Sequence, residues 1–467
     1  MVPGRLMTVG YGERTTTAEG PALTVSFAAG EGQDAPLTWS QRYYLAELDA
    51  ARPHGRGLTV PRLYPLRPGV GEDDVAEALR GLMERFESLR SRVVRARVAH
   101  QRVHAAGTLR VPVHDLPPDG AEAVLTGLAA RPFDVVEEWP VRAAVVTEGG
   151  RPRFLAMVFS HVAVDGYALL PVSAHLVASC AAADPVARTA PHSSTPGLQP
   201  RQQAEAEASP AGQRAAERAL RHAGDVMRRM PATPRTPPRA VTGERFRFLR
   251  RRSAALDLAV GAVAARTGQS PASVLAAAMM WVGAAETGAH HGFVQLVSAN
   301  RLRPETVDAV LPYSQPVPCG VDLTGASFAE AVRRTATASL RAFRAGPCPP
   351  DHLAELHAAV QAERGVHLDI TPTLNYRPRA TTLPVRETDA AELARAAADA
   401  RSEWVDSDLL WRSGHYLSVD ADETGLRLVL QVDTAVHPPG RAEHRLADLE
   451  HLLCSEAAAG PDAYEPS

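Results

Sequence analysis

The chain has 467 residues, of which 45% are hydrophobic and 22% are charged, and its formal net charge at pH 7 is -3. These values are typical of a globular protein, and the length exceeds one ordinary hydrophobic core, so we expect two lobes. The small net charge gives no electrostatic reason to expect a nucleic-acid partner.

Thiols and long apolar runs are both scarce. The four cysteines, Cys180, Cys319, Cys348 and Cys454, are scattered without metal-ligand spacing. This usage predicts reduced thiols and no metal site. No apolar stretch reaches the ~18 residues that a membrane span needs, and the first residues lack the apolar region of a signal peptide. We therefore expect a cytoplasmic protein that has no contact with a membrane.

The first part of the chain mixes strand and helix patterns. Residues 1–33 are interpreted as an N-terminal extension and residues 34–182 as an N-terminal lobe. Apolar residues at steps of three and four predict helices over 38–50, 71–92 and 121–130. Strands are predicted at 59–66 and 154–159 and near 93, 110 and 141.

Residues 183–205 contain proline, serine and threonine without periodicity, which predicts a surface linker. Residues 206–467 are then the C-terminal lobe. Its predicted helices cover 209–230, 254–266, 271–287, 327–345, 351–364 and 440–455. Its predicted strands cover 245–251, 292–299, 368–375, 413–419 and 425–433. Strands and helices in both parts indicate an α/β fold.

The stretch from 152 to 175 carries the strongest signal. An apolar run, Phe154 to Phe159, ends at Ser160-His161, and Asp165-Gly166 follows before an amphipathic segment that starts at Tyr167. The run predicts a strand buried on both faces, and the segment predicts a helix packed on it, over 167–178. His161 and Asp165 therefore fall in a strand-to-helix connection, where functional polar residues often collect.

The pattern Ser160-His161-x-x-x-Asp165-Gly166 resembles the HHxxxDG signature of the condensation domains of nonribosomal peptide synthetases. That superfamily also contains chloramphenicol acetyltransferase, whose motif is HxxxDG. Flanking segments are similar to other family blocks in the expected order, across about residues 36 to 455. They are LTWSQR at 37–42, ERFESLR at 84–90, RPFD at 131–134, Asn300-Arg301 and Asn375-Tyr376.

The resemblance implies a fold and a reaction. The fold is two chloramphenicol-acetyltransferase-like lobes in a V-shaped pseudo-dimer, with the active site in the tunnel between them. The reaction is transfer of an acyl or aminoacyl group from a carrier-protein-bound thioester to an amine or hydroxyl, in natural-product biosynthesis. We found no adenylation or carrier segment, so we expect a monomer that receives its acyl or peptidyl carrier protein in trans. We expect no permanently bound cofactor, a phosphopantetheine-linked donor and a small-molecule acceptor.

His161 is the candidate general base, because an imidazole can accept a proton from an amine or hydroxyl at neutral pH. A buried structural histidine is the alternative without the motif. The resemblance implies that Asp165 forms a structural salt bridge with an arginine. Arg90 is the preferred partner and Arg301 the second choice, while a catalytic Asp165–His161 dyad is less favoured. An unpaired buried carboxylate would be costly.

Gly166 and Ser160 complete the motif. The Gly166 N–H, near the expected helix start, could help to hold an oxyanion, and a purely conformational role is the alternative. Ser160 stands where condensation domains normally have histidine. In the family the first histidine shapes the site, so we expect activity to survive the replacement, while the serine argues against membership of the standard peptide-elongating subclass.

Other readings have less support. His161 and Asp165 lack a third metal ligand, and no serine-hydrolase, Walker A or dinucleotide motif is present. Two functional alternatives stay open beside the condensation enzyme. One is a coenzyme A-dependent acyltransferase of the same fold, and the other is a non-catalytic recruitment module.

Overall fold

The computed structural model describes residues 20–182, 197–234, 238–241, 243–377, 388–407, 409–422 and 425–459. In the described residues the N-terminal lobe contains eight strands and four helices, with short 3-10 turns between them. These are β1 (Ala22–Ala28), β2 (Gln33–Pro36), α1 (Trp39–Ala51), β3 (Thr59–Pro65), α2 (Glu72–Arg85), β4 (Ser91–Val94), β5 (His100–Val103), β6 (Ala106–Asp115), α3 (Ala121–Ala129), β7 (Val141–Glu148), β8 (Arg151–Ser160) and α4 (Leu169–Ser179).

The predicted strand over 154–159 is β8, which lies inside a five-stranded sheet of order β1-β6-β7-β8-β3. Alternate residues of β8 enter different cores. Leu155, Met157 and Phe159 pack in a cluster with residues of α2 and α4. Ala156 and Val158 pack on the opposite face with residues of α1 and α3. Because successive side chains of a strand point to opposite faces, coverage of both faces explains the uninterrupted apolar run.

The C-terminal lobe contains nine helices and seven strands in the described residues. These are α5 (Pro200–Ala208), α6 (Pro210–Met227), β9 (Phe246–Ser253), α7 (Ala254–Thr267), α8 (Pro271–Thr287), β10 (His291–Ser298), α9 (Pro304–Val307), β11 (Gln315–Asp322), α10 (Phe328–Ala345), α11 (Pro350–Arg364), β12 (Thr373–Tyr376), α12 (Ala390–Ala398), β13 (Arg401–Val405), β14 (His415–Asp422), β15 (Gly425–Asp433) and α13 (Pro439–Ala458).

A seven-stranded sheet of order β11-β10-β12-β14-β15-β9-β13 organises this lobe. Strands β10, β12 and β14 run parallel, and the other pairs in the sheet are antiparallel. Residues of α7, α8, α10 and α13 form one large apolar core with it. The sheet belongs wholly to residues after 245, and the five-stranded sheet wholly to residues before 161, so each lobe has its own sheet.

Three predicted boundaries need correction. The helix expected over 71–92 ends at Arg85, because Phe86 adopts an extended conformation, and a 3-10 turn and β4 follow. The strand expected over 368–375 is confined to β12. The linker expected over 183–205 lies outside the described residues at 183–196. Its last residues, 200–205, form the first part of α5, where Gln203 is buried.

No helix in the described residues is both long enough and apolar enough to cross a bilayer.

Candidate active site

Backbone hydrogen bonds hold the start of the connection from β8 to α4, and a hydrogen bond to a side chain holds its end. The His161 N–H donates to the Leu58 carbonyl across 3.0 Å, and the Ala163 N–H donates to the Ser160 carbonyl across 2.9 Å. Helix α4 begins at Leu169, two residues later than expected, and the Ala168 N–H donates to Asp165 Oδ1 across 2.8 Å. The Ala168 N–H, which directly precedes α4, is therefore directed at Asp165.

Asp165 is fully buried and accepts hydrogen bonds on both carboxylate oxygens. Arg301 Nη2 and the Ala168 N–H donate to Oδ1, each across 2.8 Å. The N–H groups of Tyr313 and Ser314 donate to Oδ2 across 2.9 and 3.0 Å. Three of these donors belong to the C-terminal lobe, so Asp165 joins the two lobes.

The partner of Asp165 is thus Arg301, and the preference for Arg90 was wrong. The Arg90 side chain is also buried, but its Nη1 donates to the His104 carbonyl across 2.7 Å within the N-terminal lobe. Arg301 is brought to the site by its own loop: Nη1 donates to the carbonyls of Thr306 and Ala309 across 2.6 and 2.9 Å. This loop turns at Asn300, a non-glycine residue with a φ of 53°.

The Asp165 carboxylate is held in its charged form. Burial raises its pKa, but the positive charge of Arg301 and the N–H donors outweigh burial, so the pKa lies below the ordinary value. A carboxylate with both oxygens engaged and a low pKa is a poor proton acceptor. Asp165 therefore fits the structural role that the sequence suggested better than it fits a dyad.

His161 lies in an aromatic enclosure. The Tyr44 ring, from α1, stacks on the imidazole with centroids 4.3 Å apart and planes 6° apart. Trp411 of the C-terminal lobe meets the imidazole edge-on at 5.7 Å and stacks on Tyr416 at 4.9 Å. The Nδ1 atom of His161 is buried without a hydrogen-bond partner in the described chain, while the residue as a whole stays half-buried.

The enclosure decides the protonation state of His161. Burial lowers the pKa of the imidazole to about 4, against the opposing effects of Asp165 and of nearby backbone groups. The ring is consequently neutral at pH 7. A neutral imidazole has a free lone pair that can accept a proton, and its low pKa makes it a weaker base than an ordinary histidine.

Sequence reasoning missed the two aromatic neighbours of His161. Tyr44 is fixed by a 2.7 Å hydrogen bond between its hydroxyl and that of Ser314, and the backbone N–H of Trp411 donates to Gln431 Oε1 across 2.9 Å. Tyr44 follows the LTWSQR block on the same helix, which was an available signal. Nothing local to Trp411 indicated its position.

Ser160 and Gly166 lie at opposite ends of the motif. Ser160 is fully buried, and its hydroxyl accepts a 3.4 Å hydrogen bond from the Val162 N–H, as a loop-shaping residue would. Gly166 is exposed, its φ is not positive, and a Cβ placed there would meet nothing within 4 Å. The backbone therefore does not require glycine at 166, and the space beside it is open.

The described residues contain no group of three or more His, Cys, Asp or Glu side chains arranged to hold a metal ion.

Comparison with known families decides the relationship. A model of the condensation domain matches residues 31–433. The chain belongs to the condensation-domain family. A curated relative, the probable non-canonical nonribosomal peptide synthetase CymA of Salinispora arenicola, is 27% identical over 168 residues, which are 35% of this chain. Those residues span 2% of that protein's length.

Solved structures confirm the two-lobed, chloramphenicol-acetyltransferase-like α/β fold. The structure on condensation-domain-mediated chain release from the enacyloxin polyketide synthase has a TM-score of 0.68 at 21% identity, covering 93% of this chain and 84% of that chain. The X-domain in complex with OxyB from teicoplanin biosynthesis has a TM-score of 0.65 at 17% identity, covering 94% and 98%. At such identities these similarities concern the fold alone.

Proposed function

We propose that this condensation domain is an acyltransferase that forms an amide or ester. It transfers an acyl or aminoacyl group from a phosphopantetheine-linked thioester, carried by a separate carrier protein, to a small-molecule amine or alcohol. The observation that carries the proposal is the arrangement of the two motif side chains: four donors engage the Asp165 carboxylate, and the His161 imidazole is not one of them. The His161 imidazole is left free to accept a proton, and the Asp165 carboxylate holds the loop.

In the proposed reaction the acceptor nitrogen or oxygen attacks the thioester carbonyl carbon. His161 accepts the acceptor's proton through Nε2, since Nδ1 is buried. The Gly166 N–H offsets the charge on the carbonyl oxygen, and the open space beside Gly166 admits that group. The carbon–sulfur bond then breaks, and the thiolate takes the proton from His161. A thioester is already activated, so the step consumes no ATP.

The test is a single-turnover assay with an acyl-loaded carrier protein and a panel of amine and alcohol acceptors. His161→Ala should lower the rate by ~10²–10⁴, the range typical for loss of a general base. Ser160→Ala is the matched control from the adjacent position and should change the rate little, because no proton transfer is assigned to it. Full activity in His161→Ala would overturn the assignment of His161 as the general base, and the absence of transfer by the wild-type protein would favour a recruitment module. If the coenzyme A thioester of the same acyl group reacted as fast as the acyl-loaded carrier protein, the coenzyme A-dependent alternative would be favoured.

A further inference from the structure

A large cavity adjoins the motif loop without belonging to the His161 enclosure. Its volume is about 1060 Å³, and one wall is formed by Tyr167, which directly follows Gly166, and by Arg301. It extends between α7, α8 and α10 and the ends of β10 and β12 in the C-terminal lobe. This volume is at the upper end of the range for small-molecule binding sites. It is larger than we expect for a gap that is left by imperfect packing and filled with water.

The lining of this cavity is mainly apolar, and its charged side chains are Asp257 and Arg301. Leu258 of α7, Leu296 of β10, Phe343 of α10 and Leu374 of β12 all contribute. The Arg301 guanidinium at its edge already donates to Asp165 and to backbone carbonyls through Nη1 and Nη2. Such a lining favours an apolar occupant, because burial of a charged group without a partner is costly.

Exposed apolar side chains are concentrated at the same place. Six large hydrophobic side chains stand out as exposed in the described chain. Three of them line this cavity, namely Tyr167 at 46%, Leu302 at 71% and Leu340 at 58% exposure. A group of exposed apolar side chains that line one cavity commonly marks a ligand site. A bound hydrocarbon group would cover all three.

A second large cavity serves as a comparison. Its volume is about 780 Å³, and its lining includes Arg412, His415, His437, Arg441 and Arg445. It contains no residue of the motif loop, and its lining is rich in charge. A hydrocarbon chain therefore has no physical reason to prefer it.

We propose that the cavity bounded by Tyr167 and Arg301 is the chamber for the acyl chain of the donor, and that the donor is an apolar acyl thioester with an extended hydrocarbon chain. This inference rests on the proposed function. The thioester carbon would lie beside Gly166, and the chain would pass Tyr167 into the C-terminal lobe. The chamber would then select donors by chain length.

The first test measures binding by titration calorimetry to the His161→Ala protein, which does not turn the ligand over. The probes are saturated straight-chain acyl pantetheines of increasing length. The dissociation constant should fall about four-fold for each added methylene until the chamber is full, the equivalent of ~0.8 kcal/mol per buried methylene. Binding that does not depend on chain length would overturn the proposal.

The second test uses two glycines in the middle of helices. Gly261 of α7 lines the proposed chamber and Gly283 of α8 lines the second cavity, and a Cβ at either position would meet nothing within 4 Å. Leucine is a better helix former than glycine, so both leucine variants should fold. Gly261→Leu should weaken binding of long chains on the order of 10–100-fold, the effect of two or three displaced methylenes, and leave short chains unaffected. Gly283→Leu should change the binding of neither long nor short chains. The assignment would be overturned if Gly283→Leu, and not Gly261→Leu, weakened the binding of long chains.

Different experimental results would contradict the proposed chamber and the proposed reaction. Chain-length-dependent binding that Gly261→Leu abolishes, without transfer by the wild-type protein, would support the chamber and contradict the proposed function. Transfer whose rate depends on the chain length of alkylamine or alkanol acceptors, and not on that of the donor, would assign the chamber to the acceptor and overturn the proposal.

Discussion

Arg301 Nη2 donates a hydrogen bond of 2.8 Å to Asp165 Oδ1, although the two residues are 136 positions apart in the chain. Their side chains are 6% and 0% exposed. The pair ties the motif loop of one lobe to the loop after β10 of the other. Because the Tyr313 and Ser314 N–H groups bind the same carboxylate, the position of the motif loop depends on contact between the lobes.

Loss of either partner should destabilise the protein. We expect Asp165→Asn and Arg301→Met each to lower the free energy of unfolding by ~3–5 kcal/mol, because each leaves buried polar groups unpaired. Their double mutant should lose less than the sum. Denaturant unfolding measures all three values. Arg90→Met is the control, and it should cost ~1 kcal/mol because Arg90 donates to a single carbonyl. A larger loss in Arg90→Met than in Arg301→Met would contradict this pairing.

The low pKa of His161 predicts an unusual pH profile. Burial lowers this pKa to about 4, so the basic form of the imidazole persists well below neutrality. We expect the single-turnover rate with an alcohol acceptor to stay constant down to about pH 5 and to fall only as pH approaches the pKa. An alcohol is chosen because an amine would itself titrate. A rate that already falls near the ordinary histidine pKa would show that His161 is hydrated during the reaction.

Tyr44 should control that pKa by excluding water. Tyr44→Ala opens one face of the imidazole, so the acid limb of the rate profile should move up toward the ordinary histidine value. Tyr44→Phe keeps the stacked ring and loses only the hydrogen bond to Ser314, so its acid limb should stay near that of the wild type. The same assay over pH compares the two variants. An identical shift in both would assign the effect to the hydroxyl instead of to the ring.

Glu207 predicts a pH dependence of stability. Burial raises its pKa to about 7, although its carboxylate accepts hydrogen bonds from Gln203 and from the Trp39 N–H. A carboxyl group with a raised pKa in the folded protein contributes its full stabilisation at pH values below its pKa in the unfolded chain. That contribution is lost as the pH rises through its pKa in the folded protein. The free energy of unfolding of the wild type should therefore fall by up to about 3 kcal/mol relative to that of Glu207→Gln between about pH 4.5 and 7.

Denaturant unfolding of both proteins at a series of pH values measures this difference. The exposed Glu305→Gln serves as a control that should show no such trend. A constant difference between wild type and Glu207→Gln across the range would mean that Glu207 stays ionised in the folded protein.

The local pattern of apolar and polar residues was sufficient to predict the strand and the loop that carry the motif. The apolar run at 154–159 predicted β8, because a strand covered on both faces needs apolar residues at every position. The end of that run at Ser160 placed His161 at the start of the connection, and the order of family-like blocks indicated the condensation-domain fold. The helix after the motif was predicted two residues early, since Tyr167 and Ala168 continue the apolar pattern without being helical.

Partners from distant parts of the chain required the tertiary structure. Arg90 and Arg301 both stood in family-like blocks, and only folding decided that Arg301 faces Asp165 while Arg90 binds the His104 carbonyl. Trp411 reaches His161 because the segment before β14 crosses to the N-terminal lobe, where Arg412 also binds Glu47 Oε1 across 2.8 Å. Apolar periodicity records which side of an element is buried, but not which other element covers it. The sequence alone therefore determined the motif, its strand and the family, and the packing of the two lobes decided the partner of Asp165 and the protonation of His161.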